Sequence, residues 1–150
     1  GPTPSGESLP ATAALATKFV RPKRIRFAHC DPAGIVFYPQ SFMLFNALVE
    51  DWFTDVLKAP WNELHFERHM GSPMVHLECD FVSPCRLGEV LILELGVTRV
   101  GRSSIELAVR GTVAGQVKVT ALLKLVITSF TTGKAIPIPA EMLEKLGQGN

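Results

Sequence analysis

The stretch QSFMLFNALVEDWFTDVLK, residues 40–58, decides which fold this chain can adopt. Polar residues recur in it every four positions, which is the spacing of one face of an α-helix. This narrow polar stripe consists of Asn46, Glu50, Thr54 and Lys58, with Asp51 and Asp55 beside it. Almost all other positions are large and apolar. The stretch therefore predicts a helix that other elements cover on most of its circumference.

Four later segments alternate apolar with polar residues, the pattern of β-strands with one buried face. They are VHLECDFV (75–82), VLILELGVT (90–98), SSIELAVRGTV (103–113) and QVKVTALLKLVITSF (116–130). The links between them, at 84–88, 100–102 and 114–115, are short, which favours antiparallel pairing of consecutive strands. A shorter strand is predicted at 23–28. We expect an α+β fold in which a long central helix is wrapped by a curved antiparallel sheet of about five strands.

The rest of the chain is predicted to form a tail and short connecting elements. Residues 1–17 are rich in Gly, Pro, Ser, Thr and Ala, so we expect a disordered tail, followed by a single domain at 18–150. One short helix is predicted at 61–68 and another at 140–146.

The bulk composition limits the partners and the compartment. The chain has 150 residues, 47% of them hydrophobic, and a formal net charge of +1 from 15 basic and 14 acidic residues. That charge gives no field able to hold nucleic acid or an anionic membrane surface. No apolar run approaches the roughly 18 to 20 residues of a membrane helix, and the three cysteines suit reduced thiols. We expect a cytoplasmic protein that binds neither nucleic acid nor a membrane.

Three common types of site find little support in the sequence. His65 and His69 lie four residues apart, but no third ligand is within reach along the chain, so we predict no metal site. Cys30 follows His29 directly, and adjacent residues of an extended segment point to opposite sides, which argues against a Cys–His nucleophile pair. No serine lies in a nucleophile elbow, and no glycine-rich loop opens a helix.

The stretch CDPAGIVFYPQSF, residues 30–42, carries the remaining candidate chemistry. Asp-Pro and Ala-Gly are turn formers, so a turn or helix cap is one sufficient explanation for Asp31. A catalytic site is the other. Gly34 allows the chain to approach a ligand closely, and free N–H groups at the start of the helix can polarise a carbonyl. A carboxylate beside such a carbonyl pocket is suited to acyl transfer.

The same stretch resembles the active-site loop and helix start of hotdog-fold acyl-CoA thioesterases, in particular the 4-hydroxybenzoyl-CoA thioesterase family. The resemblance continues through Pro60-Trp61, the GSP at 71–73 and the FVSP and GE of residues 81–89, and so spans about residues 24–130. It implies the hotdog fold for the predicted helix and sheet. It also implies hydrolysis of an acyl-CoA to the free acid and coenzyme A without a cofactor.

By this resemblance Asp31 is the catalytic carboxylate, either as a nucleophile that forms a mixed anhydride or as the base that activates water. The backbone N–H of Tyr38 polarises the thioester carbonyl, and Gly34 lies in the loop between them. The groups expected to contact the nucleotide of coenzyme A are Arg102, Ser103 and Ser104, with Lys134 and Arg86 as weaker candidates.

The resemblance defines the acyl pocket less closely. Asn46, Glu50 and Phe37 are candidates to line it, although Asn46 and Glu50 could equally lie at a subunit contact. The loop favours an aromatic acyl group. Short or branched aliphatic acyl groups, presentation by an acyl carrier protein, and a non-catalytic acyl-CoA-binding role stay open.

The resemblance also implies a homo-oligomer, a dimer or a homotetramer, with each site between subunits. One sequence feature agrees with this: the outward faces of two predicted strands are more apolar than a solvated surface needs. The residues concerned are Val90, Ile92, Leu122 and Val126.

Overall fold

The centre of the fold is one helix, α1 (Tyr38–Asp55), in a computed structural model that describes residues 19–36 and 38–148. The predicted helix at 40–58 is confirmed, although α1 begins and ends slightly earlier. Pro39 fits the first turn, where its missing N–H costs no helical hydrogen bond. The chain leaves the helix through Lys58, whose φ of 56° is left-handed, and the Ala59 N–H donates to the Phe53 carbonyl over 2.9 Å. A residue in the left-handed conformation just after a helix is a common way for the helix to end.

A five-stranded antiparallel sheet accompanies α1, and a separate pair of very short strands lies beside it. In chain order the strands are β1 (Phe19–Arg24), β2 (Met70–Gly71), β3 (Met74–Phe81), β4 (Val90–Val100), β5 (Ser104–Val113), β6 (Gln116–Val126) and β7 (Thr128–Ser129). The large sheet has the order β1-β4-β5-β6-β3, and β2 pairs with β7. The expected combination of one central helix and about five antiparallel strands is confirmed.

Three short helical elements complete the described chain. They are a 3-10 turn (Phe27–His29), a π-helical turn (Glu63–Glu67) and α2 (Ala140–Gln148). The helices predicted at 61–68 and 140–146 are therefore present, while the predicted tail at 1–17 lies outside the described residues. None of the helices in the described ranges is long and apolar enough to cross a bilayer.

The expectation that every short link joins neighbouring strands is wrong for one link. β3 pairs with β6 at one edge of the sheet, whereas β4 lies between β1 and β5. The connecting residues 82–89 do not form a hairpin. Their backbone groups bond elsewhere: Val82 N–H donates to the Lys118 carbonyl over 2.9 Å, and Gly88 N–H to the Ile25 carbonyl over 2.9 Å. We call this segment the crossover.

The first strand also differs from its prediction at residues 23–28. β1 occupies Phe19–Arg24 at the edge of the sheet and includes Pro22. Proline lacks the donor of a ladder hydrogen bond and is tolerated at an edge, so Pro22 concealed the strand in the sequence. Phe27, which falls in the predicted strand, lies in the 3-10 turn and is 80% exposed.

The core lies between α1 and the inward face of the sheet. Leu48 and Phe53 on the helix are fully buried, as are Leu93 on β4 and Leu107 on β5. The polar stripe of α1 is confirmed, since Asn46, Glu50, Thr54 and Lys58 are all exposed. Met43, which the sequence places among the covered residues, is 63% exposed on the same side.

Two ion pairs attach the polar side of α1 to the edge strand. The Arg21 guanidinium lies 2.8 Å from the Asp55 carboxylate, and the Lys23 ammonium lies 3.3 Å from that of Asp51. Exposed pairs of this kind contribute little to stability. Burial of α1 is therefore the main stabilising contribution along this helix.

Leu48→Ala should lower the free energy of unfolding by about 2–5 kcal/mol, because it removes a fully buried side chain and leaves a cavity. Met43→Ala on the same helix should change it by no more than about 0.5 kcal/mol, since that side chain is exposed. Urea denaturation followed by circular dichroism, at one protein concentration, measures both. Equal losses would contradict this packing.

Candidate active site

Asp31 anchors a tight loop between the 3-10 turn and α1. Its Oδ1 accepts hydrogen bonds from the Ala33 N–H over 2.9 Å and, more weakly, from the Ile35 N–H over 3.4 Å. Gly34 has a φ of +76°, a conformation that favours glycine, and its N–H donates to the Asp31 carbonyl over 3.0 Å. Gly34 therefore shapes the turn. Among the described residues no group bonds to the second carboxylate oxygen of Asp31, Oδ2.

The crossover fixes this loop from the other side. Val36 N–H donates to the Cys85 carbonyl over 2.8 Å, and Leu87 N–H donates to the Gly34 carbonyl over 2.9 Å. Ile35 and Arg86 form an antiparallel bridge. The loop that carries Asp31 is thus hydrogen-bonded to a neighbouring segment along its length.

The helix that follows supplies unpaired backbone donors. α1 begins at Tyr38, so the Tyr38 N–H has no acceptor within the helix. Pro39 has no N–H, and the next donors belong to Gln40 and Ser41. The positive end of the helix dipole lies at the same place. Phe37, a predicted pocket residue, lies outside the described residues.

A cavity of about 320 Å³ adjoins this loop, and we call it the loop cavity. Ile35 and Val36 line it from the loop, and Ser41 and Phe45 line it from the first turns of α1. The remaining walls come from Leu44, the end of β3, the crossover and the inner sheet: Phe81, Val82, Ser83, Pro84, Cys85, Leu91, Lys118 and Val119. Sequence reasoning missed this cavity, because it treated the crossover as a hairpin between neighbouring strands.

Three aromatic rings pack together at the loop cavity, and those of Phe45 and Phe81 line it. The Phe42 ring lies 6.3 Å from that of Phe45 and 6.3 Å from that of Phe81, both tilted. Tilted rings at this separation attract one another. The loop cavity therefore has an apolar, partly aromatic wall, and it adjoins the loop that carries Asp31 through Ile35 and Val36.

A second cavity of about 320 Å³ lies farther along α1, and we call it the helix cavity. The predicted pocket residue Asn46 lines it, together with Trp61, His65 and Phe130. The other lining residues are Val49, Gly71, Ser72, Pro73, Met74, Leu125 and Thr128. Glu50 is exposed and lines neither this cavity nor the loop cavity. Neither Asn46 nor Glu50 therefore lines the cavity that adjoins the Asp31 loop.

The predicted nucleotide contacts also lie apart from Asp31. Arg102 and Ser103 lie in the turn between β4 and β5, where the Ser103 carbonyl accepts from the Ile127 N–H over 2.8 Å. Lys134 is close by along the chain after β7, with its carbonyl accepting from the Ser129 N–H over 2.9 Å.

The loop that carries Asp31 lies at the other end of the strands. β5 runs for 10 residues from Ser104, next to Arg102 and Ser103, to the opposite end of the sheet. Ten strand residues have a contour length of about 30 Å. Of the predicted cations, only Arg86 lies at the Asp31 end, on the crossover.

The cysteines and histidines near the site are structural in this arrangement. His29 Nδ1 accepts from the Arg26 N–H over 3.0 Å, and the Cys30 thiol lies 3.5 Å from the Arg26 carbonyl. Burial raises the pKa of the Cys85 thiol, with a smaller contribution from the Glu89 carboxylate. Neither the His29–Cys30 pair nor Cys85 has the surroundings of an activated nucleophile. Within the described ranges, no three His, Cys, Asp or Glu side chains are grouped to hold a metal ion.

Comparison with known proteins points to one family. The sequence profile of the Thioesterase-like superfamily matches residues 25–146. The chain is 28% identical over 138 residues to the 4-hydroxybenzoyl-CoA thioesterase of Pseudomonas sp. (strain CBS-3), across 87% of this chain and 98% of that protein.

Solved structures give the same likeness in three dimensions. A thioesterase superfamily protein from Jannaschia sp. CCS1 is similar with a TM-score of 0.83 at 25% identity, over 91% of this chain and 96% of that one. A gentisyl-coenzyme A thioesterase is similar with a TM-score of 0.76 at 26% identity, over 83% and 99%. The hotdog fold expected from the sequence is confirmed.

Asp31→Ala should lower the free energy of unfolding by about 1 kcal/mol, because it leaves the Ala33 and Ile35 N–H groups without their acceptor. Asp31→Asn keeps an acceptor oxygen at the same position and should cost only a few tenths of that. Urea denaturation of the two variants beside the wild type measures the difference. A larger loss for the asparagine variant would refute this account of the loop.

Proposed function

This chain belongs to the thioesterase-like superfamily, and we propose that it hydrolyses an aromatic acyl-CoA with Asp31 as the catalytic carboxylate. It is an acyl-CoA thioesterase of the hotdog family. The aromatic character of the acyl group, the catalytic role of Asp31 and the oligomeric state are parts of the proposal.

The observation that carries the proposal is that the two carboxylate oxygens of Asp31 have different surroundings. Oδ1 is held by the loop, which fixes the side chain, while Oδ2 has no partner among the described residues and is available for chemistry. The start of α1 follows seven residues later, where the Tyr38 N–H can polarise a thioester carbonyl. A carboxylate fixed at one oxygen is preorganised, so little reorganisation is needed to reach the transition state.

Two routes to products are compatible with this arrangement. In the first, Oδ2 attacks the thioester carbon, the carbonyl oxygen becomes an oxyanion that the Tyr38 N–H stabilises, and the carbon–sulfur bond breaks to release the coenzyme A thiolate. Water then hydrolyses the resulting mixed anhydride to the free acid and regenerates Asp31. In the second, Oδ2 takes a proton from water, which attacks the thioester directly. Neither route needs a cofactor, and we expect none.

The loop cavity supports an aromatic acyl group. It adjoins both the Asp31 loop and the first turns of α1, and the rings of Phe45 and Phe81 form part of its wall. The relatives described above are named for 4-hydroxybenzoyl and gentisyl thioesters, and both acyl groups are aromatic rings. The cavity lining also includes aliphatic side chains, so aliphatic acyl-CoA and acyl-carrier-protein thioesters are the competing substrates to test.

A dimer in which the chains run in opposite directions would complete the site. Arg102, Ser103, Ser104 and Lys134 lie at the far end of the sheet from Asp31 of their own chain, so we propose that a second copy supplies these nucleotide contacts. β3 is an edge strand and is available for pairing with a second chain. Val90 is 36% exposed on the outer face, and Ile92, Leu122 and Val126 are half-buried there. Their burial in a homotetramer is part of the proposal.

The cytoplasm is the expected compartment, on the basis of three cysteines that are free thiols in the structure. Burial raises the pKa of Cys79 to about 11, so this thiol stays protonated at neutral pH. A protonated thiol reacts slowly with oxidants and disulfides.

Asp31→Asn should remove most of the activity, because it eliminates the only charge that the proposed chemistry uses. Loss of a principal catalytic group costs several kcal/mol of transition-state stabilisation, or roughly 10²–10⁴ in kcat. The measurement is thiol release from benzoyl-, hydroxybenzoyl- and short aliphatic-CoA thioesters.

Asp55→Asn is the matched control. It removes a carboxylate of the same size from the exposed end of α1, where only the Arg21 ion pair is lost. We expect it to keep wild-type kcat. A folded Asp31→Asn protein with full activity would exclude Asp31 as the catalytic carboxylate.

Arg102→Ala should raise KM for acyl-CoA with little change in kcat, because a phosphate contact contributes to binding of substrate and transition state alike. A loss of about tenfold corresponds to one charge-assisted hydrogen bond. The acyl-pantetheine thioester, which lacks the nucleotide, serves as the control substrate. An equal rise in KM for both substrates would contradict a nucleotide contact at Arg102.

A further inference from the structure

The 3-10 turn just before Asp31 has no buried side chain among its three residues. Phe27 and Ala28 are exposed, and His29 is half-buried. An element with few buried apolar contacts depends on its hydrogen bonds, and it opens easily when one of them is lost. The hydrogen bonds of this turn therefore determine how firmly the chain is held as it reaches Asp31.

The chain is anchored on both sides of the turn. Before the turn, Ile25 is buried; its N–H donates to the Glu89 carbonyl over 2.8 Å, and its carbonyl accepts from the Gly88 N–H over 2.9 Å. After the turn, the Asp31 N–H donates to the Ile35 carbonyl over 2.9 Å. Residues 26–30 connect these two anchors, so the position of Asp31 relative to the crossover depends on their conformation.

A side chain supplies the acceptor for the first N–H of this connection. The Arg26 N–H donates to Nδ1 of His29 over 3.0 Å and has no other acceptor among the described residues. The Arg26 carbonyl in turn accepts from the His29 N–H over 2.9 Å, so the two residues are joined at both ends. A glutamate or glutamine commonly makes such a reciprocal bond at the start of a helix, and here the imidazole makes it. Because Nδ1 accepts, the neutral ring carries its proton on Nε2.

We infer that His29 is a positioning residue for Asp31, which acts through the 3-10 turn and not through contact with the substrate. This inference rests on the proposed function, in which Asp31 is the catalytic carboxylate. Cys30, the one residue between them, is extended, with φ −108° and ψ 153°. The two Cα atoms are therefore about 7 Å apart, and an extended residue passes a shift of the turn on to its neighbour.

A small shift of the carboxylate has a large effect on the rate. A displacement of about 1 Å, even one caused away from the reacting atoms, can cost about a hundredfold in rate. Oδ1 of Asp31 is held by the N–H groups of Ala33 and Ile35, which belong to the same loop, so the carboxylate moves with that loop. Loss of the His29 bond frees the segment in front of Asp31. Binding of acyl-CoA does not use this bond, so kcat should fall while KM stays the same.

Two substitutions with the same branching at Cγ separate the hydrogen bond from the ring. Asparagine carries an acceptor oxygen on Cγ, where histidine has Nδ1, whereas leucine carries a methyl group there. His29→Asn should keep kcat within about twofold of the wild type, and His29→Leu should lower it about 10- to 100-fold with KM nearly unchanged. Thiol release from the acyl-CoA that the wild type cleaves best, per molecule of folded protein, measures both. His29→Ala removes the acceptor without adding a methyl group and replaces the leucine variant if that chain does not fold.

Amide hydrogen exchange tests the bond itself without turnover. The Arg26 N–H should exchange about tenfold faster in His29→Leu than in the wild type, the equivalent of one hydrogen bond. His29→Asn should restore the wild-type rate. The Ile25 N–H is the internal control, because its bond to Glu89 is present in all three proteins and its exchange should not change. NMR-detected exchange resolves the two amides.

Three results would overturn the inference. Wild-type kcat in His29→Leu together with fast exchange at Arg26 would show that the bond exists but does not position Asp31. An equal loss of kcat in His29→Asn and His29→Leu would show that the ring is needed and not the acceptor. A rise in KM with unchanged kcat would mean that His29 contacts the substrate.

Failure of the proposed function has a separate signature. Full activity of folded Asp31→Asn would exclude Asp31 as the catalytic carboxylate, and the positioning role of His29 with it. An inactive Asp31→Asn protein beside a fully active His29→Leu protein would overturn only the positioning role and leave the proposed function in place.

Discussion

Helix α1 is buried on most of its circumference, and the position of every other element follows from that requirement. A flat sheet covers one side of a helix, so covering Leu48, Trp52 and Phe53 together requires a sheet that is twisted and curved. Curvature brings strands that are not neighbours in the sheet closer together than the strand order alone suggests. The crossover can therefore pass from β3 to β4 in eight residues, although β6 and β5 separate these strands. Its backbone groups then become the partners of the Asp31 loop.

Local patterns predicted the elements well, whereas long-range pairing was predicted poorly. The four-residue spacing of polar groups found α1, and two-residue alternation found β3 to β6. Pro22 concealed β1, because an edge position cannot be recognised without knowing the strand order. The link at 84–88 was misassigned for the same reason, since its length is compatible with a hairpin. Met43 was taken as covered because apolar character was read without a position on the helix surface.

At the candidate site, too, local features were predictable from the sequence and long-range positions were not. The turn and catalytic interpretations of Asp31 were treated as alternatives in the sequence, but one carboxylate can serve both, since each oxygen has its own surroundings. The resemblance implied nucleotide contacts at Arg102, Ser103 and Ser104, with Lys134 and Arg86 as weaker candidates. All but Arg86 lie in the same region of the fold. Nothing in one chain's sequence could show that this region is about 30 Å of strand away from Asp31. The buried indole N–H of Trp61, which has no acceptor among the described residues, could not be predicted either, because its surroundings depend on packing.

The Asp31 loop and the turn that carries Arg102 are too far apart in one chain to contact the same substrate. Within one chain the Asp31 loop and the start of α1 lie together, whereas Arg102, Ser103 and Lys134 lie at the far end of β5. The proposed two-fold dimer with opposed chains would bring these two regions together twice, once at each end. In that arrangement the Asp31 loop of one copy and the turn that carries Arg102 of the other would form one site.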